Sequence, residues 1–590
     1  MNKIIANIIA AGLLLLMLGL AFFSIRGDAN TMDELAHTPA GYSYIIQKDM
    51  RLNPEHPPLL KDLAGLSVWL GSKITGTKIN FPDQIKSWTE EVNGQWEFGR
   101  QFLFKSGNPA DKIILWARLP MLLIMLLLGF YVFKWARELY DHKTGLLALF
   151  LYALSPTFIA HGRLVTTDVG AAAAFFIAAY YLIKWLQQSN NRNLIIAGLV
   201  FGLALLTKFS LVLIIPYFIF LAFVWGIINK KLFKTIFGLA LIGLIALALV
   251  WPVYLYHTWN YPAERQLADA QHNLATYGNR LLADPVIWLS TKEILRPYGQ
   301  FFAGLLMVIQ RASGGNTTYF LGEVSNAAWP HYFPIVFLIK VPLALLILIL
   351  IALIYSFFQI KKQPKKEFIQ WLKKYFAELA LLIFFAFYWI ISIRSNLNIG
   401  VRHILPTFPI LYVLISGQII KWLKMSNLKY LVIIILLIWY AWGTIKIYPC
   451  FLTYFNELVG GPSNGYKYVT DSNLDWGQDL KRLAQYLQEK NIPQIYVDYF
   501  GGDDLEYRLG EKYQPWWGNR DPQELPADSW LAVSATFLQG GRGLNTKGYQ
   551  AKTDFYNWLN DYEPVKVIGN SIFIYNKPFP QSLNQGIPNH

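Results

Sequence analysis

The chain has 590 residues, 54% hydrophobic and only 15% charged, with apolar runs that reach the roughly 20 residues a membrane-spanning helix needs. A formal charge of +15 would suit a nucleic-acid binder, but much of the Lys and Arg falls in short clusters between apolar runs, so we exclude nucleic acid and take the lipid bilayer as the partner. The lone Cys450 rules out an internal disulfide.

The first apolar run, Ile4–Phe23 after Lys3, lacks a small-x-small cleavage site before Arg26 and reads as an uncleaved span. Further apolar segments fall at about 113–133, 145–161, 167–186, 194–227, 233–256, 333–357, 377–393, 403–420 and 428–448. The segment 194–227 has basic residues on both sides, Lys184 and Arg192 before it and Lys230, Lys231 and Lys234 after it, so both ends belong on the cytoplasmic face. One crossing cannot satisfy that. At 1.5 Å per residue its length is about 51 Å, short of two full 30 Å crossings, and its centre Leu206-Thr207-Lys208-Phe209-Ser210 is polar. It reads as a hairpin of two short helices with Lys208 at the tip, near the outer surface.

The fold expected is therefore a polytopic α-helical membrane protein of about eleven spans, N-terminus cytoplasmic and C-terminus outside, in the plasma (inner) membrane. Lys134, Arg137 and Lys143, then Lys361, Lys362, Lys365, Lys366, Lys373 and Lys374, then Lys421, Lys424 and Lys429 all land on the cytoplasmic side in this arrangement. Three segments become external: loops at about 26–112 and 257–332, and the tail. Residues 1–450 form the membrane domain and 451–590 a soluble extracytoplasmic α/β domain. The tail carries β-rich runs at Gln494–Phe500, Trp530–Ala535 and Ser571–Tyr575, and an amphipathic helix from Trp476 to about Lys490 with Leu480, Leu483 and Leu487 on one face. Asp475 and Gln478 are spaced as a capping box for that helix.

Chemistry is expected where ionisable groups converge at the outer surface. Asp33-Glu34 follows the first span by a few residues, and a carboxylate there suits a general base that takes the proton of an attacking hydroxyl or amine. The run Asn53-Pro54-Glu55-His56-Pro57-Pro58-Leu59-Leu60-Lys61 adds Glu55, His56 and Lys61 around a proline-stiffened turn. Arg118, Arg163, Lys208 and Arg402, with His403 beside the last and Asp168 near Arg163, all fall at external helix ends. Lone cations there commonly snorkel, but so many on one face fit a lipid-linked phosphate leaving group, whose developing charge needs fixed positive partners. Lys61 and His403 join the candidate phosphate contacts. No cofactor is required. A divalent metal is an option with Glu55, His56 and Asp168 as its candidates, although adjacent residues chelate poorly.

The acidic pair, the His56–Lys61 run, Arg118-Leu119-Pro120, Thr167-Asp168 and Leu206–Lys208 together resemble the C-superfamily (GT-C) glycosyltransferases, specifically the family 39 protein O-mannosyltransferases and the bacterial aminoarabinose transferases. The likeness extends to about residue 450, and the tail stretches Tyr454–Glu457 and Asp471–Asp479 also look like bacterial family 39-like proteins. It implies an inverting transfer of a sugar, mannose-like or other, from a polyprenyl-phosphate donor to a protein hydroxyl or a lipid or cell-wall glycan outside the cytoplasm. By the same likeness Asp33 is the base, Glu34 its supporting partner, Arg118 an active-site cation, Asp168 a second acid and Lys208 a phosphate contact. The chain departs from the aminoarabinose branch at Glu55-His56, where that branch has Glu-Lys. The alternatives are a polytopic transporter, which more often shows repeated halves and broken midplane helices, and a non-catalytic envelope assembly protein.

Overall fold

The computed structural model describes residues 2–360, 368–424, 428–546 and 548–576, so the cluster of Lys361, Lys362, Lys365 and Lys366 lies outside the described residues. Among them, eight helices are long and apolar enough to cross a membrane: Lys3–Ile25, Ala110–Leu139, Asp168–Gln187, Phe209–Ile228, Leu232–His257, Phe376–Arg394, Val401–Leu423 and Leu428–Lys446. Two more segments are helix pairs bent at a short break, His142–Ala153 with Pro156–Gly162 and Tyr332–Lys340 with Leu343–Gln359. With the shorter apolar helix Asn191–Leu205, every apolar segment read from the sequence has a helical counterpart. The chain is a multi-pass membrane protein. Its hairpin is as expected: helix Asn191–Leu205 ends, Lys208 is extended, and Phe209–Leu213 begins the return as a 3₁₀ turn.

The Ala-rich helix Asp168–Gln187 is the central one, buried along most of its length, whereas Lys3–Ile25 leaves most of its surface outward for lipid. The segment between the first two spans is itself helical, with Met32–Gln47 crossing Leu59–Thr75. Their crossing is so close that a Cβ on Gly41 would strike the carbonyl of Lys61, and one on Gly65 the carbonyl of Gly41. The first of these helices ends at Lys48, which turns left-handed at φ +56°, and Pro58 stands at the N-cap of the second, which opens at Leu59.

The second long loop, after the span Leu232–His257, folds into helices Ala263–Asn273, Arg280–Ser290 and Arg296–Gly314 and a small hairpin, β1 (Thr318–Phe320) and β2 (Glu323–Ser325). The tail adds β3 (Ile495–Asp498), β4 (Tyr513–Pro515), β5 (Trp530–Ser534), β6 (Leu544–Asn545), β7 (Lys566–Ile568) and β8 (Ile572–Asn576). A five-stranded sheet runs in the order β4-β3-β5-β8-β7, parallel around β3 and antiparallel from β5 onward. Helix Leu480–Glu489 packs on it through Leu480, Leu483 and Leu487, all fully buried. That face is as read, but the helix starts at Leu480. Gly477 has φ +92°, which no helix accommodates, and Gln478 accepts from the Trp476 N–H in a turn of its own in place of a capping box. The tail is joined to the second loop, because β6 pairs in parallel with β2 and Val469 bridges to Phe320.

Candidate active site

Thr31, at the N-cap of helix Met32–Gln47, places Asp33 and Glu34 in its first turn. Glu34 turns inward. Its carboxylate accepts from the Thr31 N–H and hydroxyl at 3.0 and 2.9 Å, from the Val165 N–H at 2.9 Å, and from Arg118 through two bonds of 2.8 and 2.6 Å. Burial alone would raise this carboxyl, but Arg118 and the N–H donors outweigh it and hold it below the ordinary carboxylate value. Arg118 spends its remaining donors on the carbonyls of Ile25, Asp28 and Ala29. The pair ties the end of the first span to the second and to the 163–167 turn.

Asp33 turns the other way, into a cavity of about 750 Å³ between the membrane helices and the C-terminal domain. There a row of alternating charges crosses four separate elements. Lys208 Nζ lies 2.6 Å from Asp168 Oδ1, Arg402 Nη1 is 3.6 Å from Asp168 Oδ2, and Arg402 Nη1 donates to Asp33 Oδ2 at 2.6 Å. Arg402 comes from a 3₁₀ turn, Val401–Thr407, at the head of its span, and its guanidinium sits 4.3 Å over the Trp476 ring. Asp168 Oδ2 is buried with no hydrogen-bond partner, and among the described residues Asp33 Oδ1 has none either. The row is thus open toward the cavity at Asp33, which keeps about 25% of its side chain exposed.

Glu55, His56 and His403 also line this space. Glu55 accepts from Gln95 at 2.9 Å and lies 3.6 Å from Arg311, an exposed cation lining the cavity that no sequence motif marks. His56 packs edge-on against His37, whose Nδ1–H donates to the Val165 carbonyl. Burial pushes the His56 imidazole well below its usual value, and His37, Lys61, Lys208 and Arg311 push it further, which favours the neutral ring.

The structure commits the other candidate cations elsewhere. Lys61 is buried beneath the proline turn, where Nζ reaches Tyr44 Oη, the Asn53 carbonyl and side chain, and the His56 carbonyl at 2.6 to 3.1 Å. It shapes the Glu55-His56 turn from behind. Arg163 is buried 2.9 Å from Asp28, which also holds Arg482 of the tail at 2.7 Å. Arg118, Arg163 and Lys61 are therefore supports of the site, and Lys208, Arg402 and His403 are its lining. Glu55, His56 and Asp168 share the cavity, yet among the described residues no group of three or more His, Cys, Asp or Glu side chains is disposed to hold a metal ion.

The tail supplies a wall of the cavity through Thr470, Asp471, Trp476, Phe500, Thr536 and Phe537. The Asp471–Asp479 stretch was visible as a motif, but periodicity says nothing of a docking some 440 residues from Asp33. Asn473 and Ser472 do that docking. Asn473 Oδ1 accepts from the Val401 N–H at 2.9 Å and the Ser472 hydroxyl donates to the Ile399 carbonyl, so the tail holds the turn that presents Arg402.

Residues 111–256 match the family model described as dolichyl-phosphate-mannose-protein mannosyltransferase. No curated protein sequence matches the chain. Among solved structures, the apo oligosaccharyltransferase of Archaeoglobus fulgidus is 14% identical with a TM-score of 0.48; the match covers 87% of this chain, which spans 64% of that enzyme's length. The donor-bound protein O-mannosyltransferase Pmt1-Pmt2 complex of S. cerevisiae is 16% identical over 44% of this chain and 34% of that one, with a TM-score of 0.33. ArnT of Cupriavidus metallidurans bound to undecaprenyl phosphate is 12% identical over 96% and 97% of the two chains, with a TM-score of 0.29.

Proposed function

We propose that this chain is an inverting membrane glycosyltransferase that moves a sugar, a hexose such as mannose, from a polyprenyl-phosphate donor to a hydroxyl-bearing protein or glycan acceptor on the extracytoplasmic side of the plasma membrane. The observation that carries the reading is the charge row Lys208–Asp168–Arg402–Asp33, laid along one cavity whose membrane side is apolar with Phe209, Val212, Leu213, Val308 and Phe333. An isoprenoid chain suits those walls, and its phosphate suits the two cations. The match of residues 111–256 to a mannosyltransferase family described by a dolichyl-phosphate donor supports the same class of substrate. Sidedness follows from the sequence: the basic clusters between spans belong to the cytoplasmic face, and the residues of the cavity to the other.

The chemistry is a single displacement. The acceptor oxygen attacks the anomeric carbon as the bond from that carbon to the phosphate oxygen breaks. Asp33 takes the acceptor proton, and the phosphate leaves with the bonding pair, its charge met by Lys208 and Arg402. Attack opposite the leaving group inverts the anomeric centre.

In purified protein given polyprenyl-phosphate-linked mannose, Asp33→Asn is expected to cut transfer by at least about 100-fold, the scale of a lost general base, with donor binding unchanged. Lys208→Met is expected to do the reverse of that split, weakening donor binding about tenfold or more. Transfer that survives in Asp33→Asn would remove Asp33 as the base.

A further inference from the structure

Asp471 faces the charge row from the C-terminal domain. It is one of few non-glycine residues in the left-handed region, with φ +55°, a conformation that costs free energy and that Asp and Asn tolerate best. Its backbone is fixed in that state by the tail itself. The Asp471 N–H donates to the Thr536 hydroxyl at 3.1 Å, and the Thr536 N–H donates to buried Asp475 at 2.9 Å. Of its carboxylate oxygens, Oδ1 accepts from the Ser472 N–H, while among the described residues Oδ2 has no hydrogen-bond partner. The carboxylate lines the cavity and is only partly covered. Burial pushes it up to about 6 against the pull of Arg402, and the charge of Asp33 adds to the rise, so the two acids share one space.

A loop that only needed its own turn would be served by Asn or Gly. Here a carboxylate on a left-handed backbone lines the cavity from the tail. Lys208 and Arg402, suited to a phosphate, come from the membrane helices, and the tail adds to the lining the carboxylate of Asp471 together with Phe500 and Phe537. We propose that the C-terminal domain forms the acceptor subsite, in which Asp471 Oδ2 accepts a hydrogen bond from a second hydroxyl or N–H donor beside the acceptor hydroxyl that gives its proton to Asp33. Asp471 is on this view a positioning residue for the acceptor, with no part in donor binding. The inference rests on the transferase reading above.

The test measures how donor is partitioned. Full-length protein in membranes of a strain lacking the native copy receives radiolabelled polyprenyl-phosphate mannose, and label is counted in acid-insoluble product and as free mannose released by water. Asp471→Asn keeps the Ser472 bond and the left-handed backbone, and Asp471→Gly keeps the backbone alone. Both are expected to lower the ratio of transfer to hydrolysis about tenfold, with hydrolysis and donor affinity within twofold of the unchanged chain. An unchanged ratio in both folded variants overturns the acceptor subsite and leaves the transferase intact; so does a parallel loss of hydrolysis and donor affinity, which would make Asp471 a donor-side or purely structural group. An unchanged chain that consumes no label, when polyprenyl-phosphate glucose, N-acetylglucosamine and aminoarabinose also fail, overturns the transferase reading and this inference with it.

Discussion

Successive side chains on a helix point about 100° apart, so Asp33 and Glu34, adjacent in the first turn, meet different surroundings. Glu34 is wholly buried against Arg118, while Asp33 keeps about a quarter of its side chain open to the cavity. An acidic pair at a membrane surface is legible in the sequence; which member is free is not, because Arg118 arrives from a helix 84 residues later. The same limit applies to the cations. A sequence shows that Arg118, Arg163 and Lys208 are at one face, but a carboxylate partner such as Asp28 decides whether a guanidinium is left for a ligand. This argues a prediction for Arg118. Removing one partner of a buried ion pair strands the other charge, at a cost of about 3–5 kcal/mol. Arg118→Met is expected to lower the thermal midpoint markedly in detergent, while the protein that stays folded binds donor as before. Weakened donor binding at an unchanged midpoint would instead make Arg118 a phosphate ligand.

At the scale of elements, the stretch Asp471–Asp479 shows how a local signal is overridden. The spacing of Asp475 and Gln478 fits a capping box, yet Asp475 is drawn away by the segment that follows β5, accepting the Thr536 N–H, with its other oxygen buried and, among the described residues, without a hydrogen-bond partner. Burial then pushes its carboxyl up to about 8 from the ordinary 3.8. The sign of the consequence is fixed. Between those two values the folded chain holds a proton that the unfolded chain has released, so stability falls as pH rises through the window and is fully recovered only below about pH 4. Asp471 and Asp498, each pushed up to about 6, act in the same direction over a narrower range. The thermal midpoint is therefore expected to fall between pH 6 and pH 8, and Asp475→Asn, which keeps an acceptor for Thr536 and has no proton to lose, should flatten part of that fall. An identical slope in the variant would show that Asp475 is ionised in the folded chain at neutral pH.

For the whole molecule, the spans were legible because each is a long apolar run, and the polar break at Leu206–Ser210 marked the hairpin. The strands of the second loop and β4, β6 and β7 were not, since two or three residues carry no usable alternation and their pairing is set by a distant segment. That pairing also fixes the architecture: β6 on β2 and Asn473 on Val401 bind the tail to the face that holds Asp33, Lys208 and Arg402. The tail and the cavity must then share one side of the membrane, and Lys143, at the start of helix His142–Ala153 just after the second span, must lie on the other if the basic clusters set orientation. Cys450 is the single cysteine, so Cys450→Ser gives a background free of thiols. Exposed Lys143 and Lys490 can then be changed to Cys one at a time. In right-side-out spheroplasts a membrane-impermeant maleimide is expected to label Lys490→Cys at once and Lys143→Cys only after the membrane is opened with detergent. The opposite order would turn the cavity to the cytoplasm, where Asp33 would meet a different pool of donors and acceptors. Labelling of both positions before detergent would break the link between charge clusters and sidedness, and with it the extracytoplasmic placement of the reaction.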